Sequence, residues 1–193
     1  TECEVQEETG SPDKYKEISR VDNPEWVGLT KEEIQNTIQI IRKEIPDIVL
    51  RTSLIAGFPG ETQDDHEALL AFIDEVEFNR LGVFTYSPEE GTPAAVFEDQ
   101  VPEETKETWR DEIMALQQEI SYDLNSALVG KQMRVIVDGY IYKDQMYMCR
   151  SYMDAPGIDG CVFVASEEEL LSGDFIDVKI TDFNEYDLIG ERV

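Results

Sequence analysis

The sequence predicts an α/β unit followed by a small all-β barrel, and three observations carry that prediction. Helix-type and strand-type patterns alternate from Thr30 to Ser87 with short connections, as in parallel strands joined by right-handed crossovers. Five short β-rich segments, separated by Gly, Asp and Asn turns, fill residues 131–193. Between them runs one apolar stripe at helical spacing, from Pro102 to Leu128. No internal repeat is visible.

Residues 1–29 are acidic and polar, lack periodicity, and are broken by Gly10-Ser11-Pro12 and Asn23-Pro24. They read as an irregular or flexible lead-in, with Val21, Trp26, Val27 and Leu29 apolar enough to dock on a neighbouring surface. At Thr30 the pattern changes. Thr30 with Glu33 makes a capping box, and Ile34, Ile38 and Ile41 recur at helical spacing up to Ile45-Pro46. Residues 48–56 (IVLRTSLIA) read as a strand, GFPGE as a turn, and Thr62 as the cap of a second helix whose apolar face is Leu69, Phe72, Ile73 and Val76. RLGVFTYS is the next strand. Two strands with their helices cannot close a domain, so residues 30–101 read as the last part of a larger α/β barrel or sheet.

Residues 87–102 carry three prolines and no period, which predicts an ordered loop. The stripe that follows (Trp109, Ile113, Leu116, Ile120, Leu124, Leu128) predicts a connecting helix over 102–128, about 40 Å long at 1.5 Å per residue. The segments QMRVIVDGYIY, QMYMCRS, GCVFVAS, GDFIDVKITD and YDLIGERV then predict a five-stranded barrel of OB type over 129–193.

Composition narrows the function. The chain has 193 residues, 41% of them hydrophobic, with apolar runs too short to span a bilayer and acids where a secretory signal needs a basic segment. A soluble cytoplasmic protein is the expectation. Sixteen Lys+Arg against 43 Asp+Glu give a net charge of −27. Such a surface repels phosphate backbones and attracts a basic partner. Cys3, Cys149 and Cys161 are widely spaced and His66 is the only histidine, so a metal or iron–sulfur site built by this chain alone is not expected. A lone histidine one turn into a helix reads as a surface residue without a catalytic role.

The motifs RTSLIAGFPGET, LGVFTYSPEEGTPAA, MALQQEIS, YMDAPGIDG and GDFIDVKITDFNEYDLIGE together resemble the bacterial methylthiotransferases of the radical S-adenosylmethionine (SAM) superfamily, over residues 30–193. RSYMDAPGIDG is similar to the branch that modifies an aspartate of a small-subunit ribosomal protein, rather than the tRNA-modifying branch. The resemblance implies the terminal part of a radical-SAM, TIM-like barrel followed by a TRAM barrel. It also implies, for the full-length family, SAM and two 4Fe-4S clusters as cofactors. Neither set of cluster cysteines occurs here, so the chain is expected to hold no cluster and, alone, to turn over nothing. It is read as the C-terminal portion of such an enzyme.

The same resemblance places a SAM pocket at the strand end around GFPGE. Arg51, Ser53 and Ile55 alternate onto one strand face, with Thr52 and Leu54 on the other. Arg51 and Ser53 are thereby candidates to reach SAM, with Gly57 and Phe58 in the turn and Glu61 behind it. Glu61 is equally suited to capping the local backbone. Thr85 and Tyr86, after the next strand, are the other candidates for that pocket. In the barrel, six Lys+Arg against 13 Asp+Glu over 131–193 suit a basic ribosomal protein as partner, with Asp154, Asp159 and the Glu167–Glu169 run as candidate contacts. Direct tight binding of nucleic acid is not expected. The two competing readings are a tRNA methylthiotransferase, which needs a basic surface, and a non-catalytic protein-binding module.

Overall fold

The computed structural model describes residues 5–8 and 30–193, which fall into two units, Thr1–Gln117 and Gln118–Val193. The first unit is built on a parallel sheet of β1 (Val5–Glu8), β2 (Arg51–Ala56) and β3 (Arg80–Thr85), with β2 in the middle. Helix α1 (Lys31–Glu44) precedes β2, and α2 (Gln63–Val76) links β2 to β3.

Both helices start where a short polar motif satisfies their free amides. Glu33 Oε2 accepts from the Thr30 amide at 2.7 Å while Thr30 Oγ1 accepts from the Glu33 amide at 3.3 Å. Thr62 and Asp65 form the same reciprocal pair at 3.0 and 3.3 Å. Arg42 and Lys43 in the last turn of α1 suit the negative end of its dipole. Helix α2 stops at Glu77, which takes a left-handed conformation with φ 49°.

Val5–Glu8 corrects the expected irregular lead-in at four residues. The strand pairs in parallel from Val5 opposite Thr52 to Glu8 opposite Ile55. Its order comes from the edge of β2, a long-range partner that no periodicity in VQEE announces. The rest of that lead-in, including Cys3 and the docking expected of Val21, Trp26, Val27 and Leu29, lies outside the described residues.

The register of β2 on β3 runs from Arg51 opposite Arg80 to Ala56 opposite Thr85, so the sheet has two unlike faces. Thr52, Leu54, Ala56 and Leu81 are buried on one. Arg51 and Ser53 are exposed on the other, with Ile55 and Gly82 half-buried and Phe84 65% exposed. The alternation expected for Arg51, Ser53 and Ile55 is the one observed.

Helix α3 (Glu103–Ser126) crosses the division between the units. Trp109 and Ile113 of its stripe are buried, and so are two polar residues in line with them, Lys106 and Gln117. Gln117 Nε2 donates to the Phe78 carbonyl at 2.8 Å. His66 also differs from expectation. It is 0% exposed, stacked at 5.0 Å on Trp109, with Nε2 2.7 Å from Glu112 Oε2. The position one turn into α2 faces α3 rather than solvent, and an aromatic from a distant part of the chain covers it.

The second unit holds β4 (Gln132–Ile141), β5 (Met146–Arg150), β6 (Val162–Ala165), β7 (Phe175–Phe183) and β8 (Leu188–Arg192). They close in the order β4-β5-β6-β8-β7, antiparallel throughout except β6 with β8. Register shifts at Val137/Gly139 and Ile180/Asp182 bend the strands as a closed barrel requires. Inward positions two apart fill the interior: Val135 and Val137, Val162 and Val164, Ile176 and Val178. Gly160 is needed where two loops meet, because a Cβ there would lie 1.8 Å from the Tyr186 carbonyl oxygen.

Candidate functional site

In parallel α/β sheets ligands collect at the carboxyl ends of the strands. Here that edge is made by Ala56, the last residue of β2, with Gly57 and Phe58, and by Thr85, the last residue of β3, with Tyr86. The Tyr86 amide donates to the Ala56 carbonyl at 2.8 Å, which ties the two strand ends together. Gly57 has φ +78°, a left-handed turn that an L side chain resists. Glu61, 6% exposed, turns back so that Oε2 accepts from the Gly57 amide at 2.6 Å and the Phe58 amide at 3.0 Å. The carboxylate therefore caps the turn backbone, while Thr62 and Asp65 cap the helix. Phe58 and Tyr86 pack edge-to-face at 5.2 Å in a small cluster with Ala94.

One residue in this corner escaped the sequence reading. Lys106 of α3 is 4% exposed, and its Nζ donates to the Tyr86 carbonyl at 2.9 Å and to Glu103 Oε2 at 3.1 Å. Its stem lies so close over Gly57 that a Cβ there would sit 2.2 Å from Lys106 Cγ. The close approach that Gly57 permits is an approach to Lys106. A signal was available: Lys106 lies three residues before Trp109 and seven before Ile113, squarely on the apolar stripe.

The expected pocket residues thus separate into two sets. Gly57, Phe58, Glu61 and Tyr86 form the buried corner, and Thr85 shares the covered face with Ala56. Arg51, Ser53 and Phe84 are exposed on the other face, where Ile55, the register partner of Phe84, is half-buried and packs on the Phe58–Tyr86 cluster. Phe84 was not singled out by the sequence, although it is the largest apolar side chain on that face. Among the described residues, a Cβ at Gly82, opposite Ser53, would meet nothing within 4 Å.

On the barrel, Asp154 and Asp159 are engaged within their own loop. Asp154 Oδ2 accepts from the Ser151 amide at 3.0 Å and the Ser151 hydroxyl at 2.6 Å, and Asp159 Oδ2 from the Ala155 amide at 2.6 Å. Both are half-buried, and the side chains that project from this loop are Tyr152 and Ile158. Glu167, Glu168 and Glu169 are exposed. Glu167 and Glu168 line a shallow depression of about 470 Å³ with Glu191 and Arg192, and Arg192 pairs with Glu168. Burial raises the Cys149 thiol to about 12, with Asp138 and Cys161 adding to it, and burial also raises Cys161. Neither thiol is set up as a thiolate ligand. Among the described residues no group of three or more His, Cys, Asp or Glu side chains is placed to hold a metal ion, and no helix is long and apolar enough to cross a membrane.

Comparison with protein families matches the TRAM domain to residues 129–193, the closed barrel described above. Curated relatives match most of the chain. The ribosomal protein uS12 methylthiotransferase RimO of Lachnoclostridium phytofermentans is 50% identical over 159 residues, 82% of this chain and 36% of that protein. RimO of Carboxydothermus hydrogenoformans is 49% identical over 164 residues, covering 85% and 37%, and RimO of Clostridium botulinum is 51% identical over 161 residues, covering 83% and 36%. The chain is homologous to the C-terminal region of RimO. It spans little more than a third of the length of these RimO relatives.

Proposed function

We propose that this chain is the C-terminal portion of a radical-SAM methylthiotransferase that adds a methylthio group to an aspartate of ribosomal protein uS12. In that reading residues 30–101 supply one wall of the SAM pocket and residues 129–193 the surface on which the basic substrate protein docks. The observation that carries it is the identity of about half the residues to RimO along more than four-fifths of the chain.

The open face fits SAM in the chemistry of its donors. Ile55 and Phe84 offer an apolar platform near the strand ends, Ser53 a hydroxyl beside them, and Arg51 a cation on the same face for a carboxylate. Bound there, SAM would supply the radical chemistry of the reaction, and Arg51, Ser53, Ile55 and Phe84 would hold and orient it. The part left to this chain is to bind, orient and exclude water. The described residues do not fit an iron–sulfur cluster. For the barrel, a charge of −7 over 131–193 supports a cationic protein partner over tRNA, since phosphate contacts need cations. The loop bonding of Asp154 and Asp159 leaves Glu167 and Glu169 as the better candidate contacts.

A hybrid enzyme tests the reading. Residues 30–193 replace the matching C-terminal segment of the Lachnoclostridium phytofermentans RimO, and uS12 from cells lacking their own enzyme is weighed by mass spectrometry. A methylthio increment on an aspartate peptide is expected. Modified tRNA with unmodified uS12 would favour the tRNA reading, and neither product in a folded hybrid would leave only a binding module.

A further inference from the structure

We infer that Lys106 is a positioning residue for the SAM site, holding the carboxyl ends of β2 and β3 in their binding geometry from the first turn of α3. This rests on the reading of that site given above. A lysine on a helix's apolar stripe is a poor choice for packing alone, because its ammonium must be desolvated and a leucine would bury more cheaply. The cost is offset where a buried acceptor needs a donor. That acceptor is the Tyr86 carbonyl, 2.9 Å from Nζ, at the point where β3 ends. Glu103 Oε2 at 3.1 Å balances the charge from the solvent side, and the Tyr86 ring lies 5.4 Å from Nζ.

The same side chain also meets the end of β2, since its Cγ occupies the space a Cβ of Gly57 would need. One residue thus touches both strand ends. Glu61 holds the Gly57 and Phe58 amides from the other side. Between them the Gly57 and Phe58 amides and the Tyr86 carbonyl are satisfied by protein before any ligand arrives, which is what preorganisation requires. A side chain with only a packing role would need neither the ammonium nor the bond to Tyr86.

The hybrid enzyme is the material for the test. SAM affinity is measured by equilibrium dialysis for the unsubstituted hybrid, Lys106→Met, Lys106→Gln, Lys106→Arg and the exposed control Lys43→Met, at a temperature where each is folded. Amide hydrogen exchange is followed at Gly57, Phe58 and Tyr86. Loss of one charged hydrogen bond predicts about tenfold weaker SAM binding in Lys106→Met, with faster exchange confined to those amides. Lys106→Arg keeps a donor and recovers most of the affinity, Lys43→Met changes nothing, and Lys106→Gln repeats the loss should the Met variant not fold. Equal SAM affinity in the unsubstituted hybrid and a folded Lys106→Met overturns the role of Lys106 and leaves the site reading intact. Failure of the unsubstituted hybrid to bind SAM overturns both.

Discussion

Replacing Gly57 by alanine probes the corner on which the SAM-site reading depends. Two separate costs follow from the structure. The residue holds φ +78°, where a Cβ costs about 1–2 kcal/mol. The new Cβ would also lie 2.2 Å from Lys106 Cγ, near the fixed end of a buried side chain whose Nζ is anchored to Tyr86. Crowding of that kind costs about 1–3 kcal/mol. The sum, about 2–5 kcal/mol, lowers the melting temperature of the α/β unit by about 10 °C or more. Differential scanning calorimetry reads it, with the barrel transition as an internal reference because the barrel has its own core. Adding Lys106→Ala removes the Cγ at 2.2 Å and leaves only the Cβ at 3.0 Å, so Gly57→Ala in that background should cost the backbone part and little of the crowding. A loss below about 1 kcal/mol, or the same loss in both backgrounds, would refute the reasoning.

Gly160→Ala in the barrel forces a Cβ into the Tyr186 carbonyl, and backbone gives way less readily than a side chain. A loss of about 3 kcal/mol in urea unfolding, confined to the barrel, is expected. Cys149 predicts a pH dependence. Its folded-state pKa is raised from 9.0 to about 12, so its contribution is fully present below pH 9 and is lost as pH rises toward 12. The full loss is about 4 kcal/mol at most. Urea midpoints of wild type and Cys149→Ala at pH 8 and 10.5 should show the steeper decline in wild type. For the same reason, iodoacetamide at pH 8 should label Cys149 only after unfolding.

Features written in local sequence were the legible ones. The Thr30–Glu33 and Thr62–Asp65 boxes set two helix starts, and the alternation at 51–56 separated the open face of β2 from the covered one, because period and capping act within a few residues. The five barrel strands were legible for the same reason. What escaped depends on residues far apart in the chain. β1 exists through the edge of β2, His66 is buried by Trp109 and Glu112, and the neighbourhood of Gly57 is decided by Lys106, 49 positions on. Asp154 and Asp159 show another limit. Sequence displays a carboxylate and its charge, but not that Asp154 Oδ2 accepts from Ser151 and Asp159 Oδ2 from Ala155. Phe84 gains its interest from the register, which puts it opposite Ile55, and from being 65% exposed.

In the proposed function the barrel is the acidic docking surface of a protein-modifying enzyme. Titration of the chain with uS12 and, separately, with bulk tRNA at physiological ionic strength tests it most directly. Tighter binding to uS12 is expected, weakening as salt screens the acidic surface. Tighter binding to tRNA under the same conditions would contradict it.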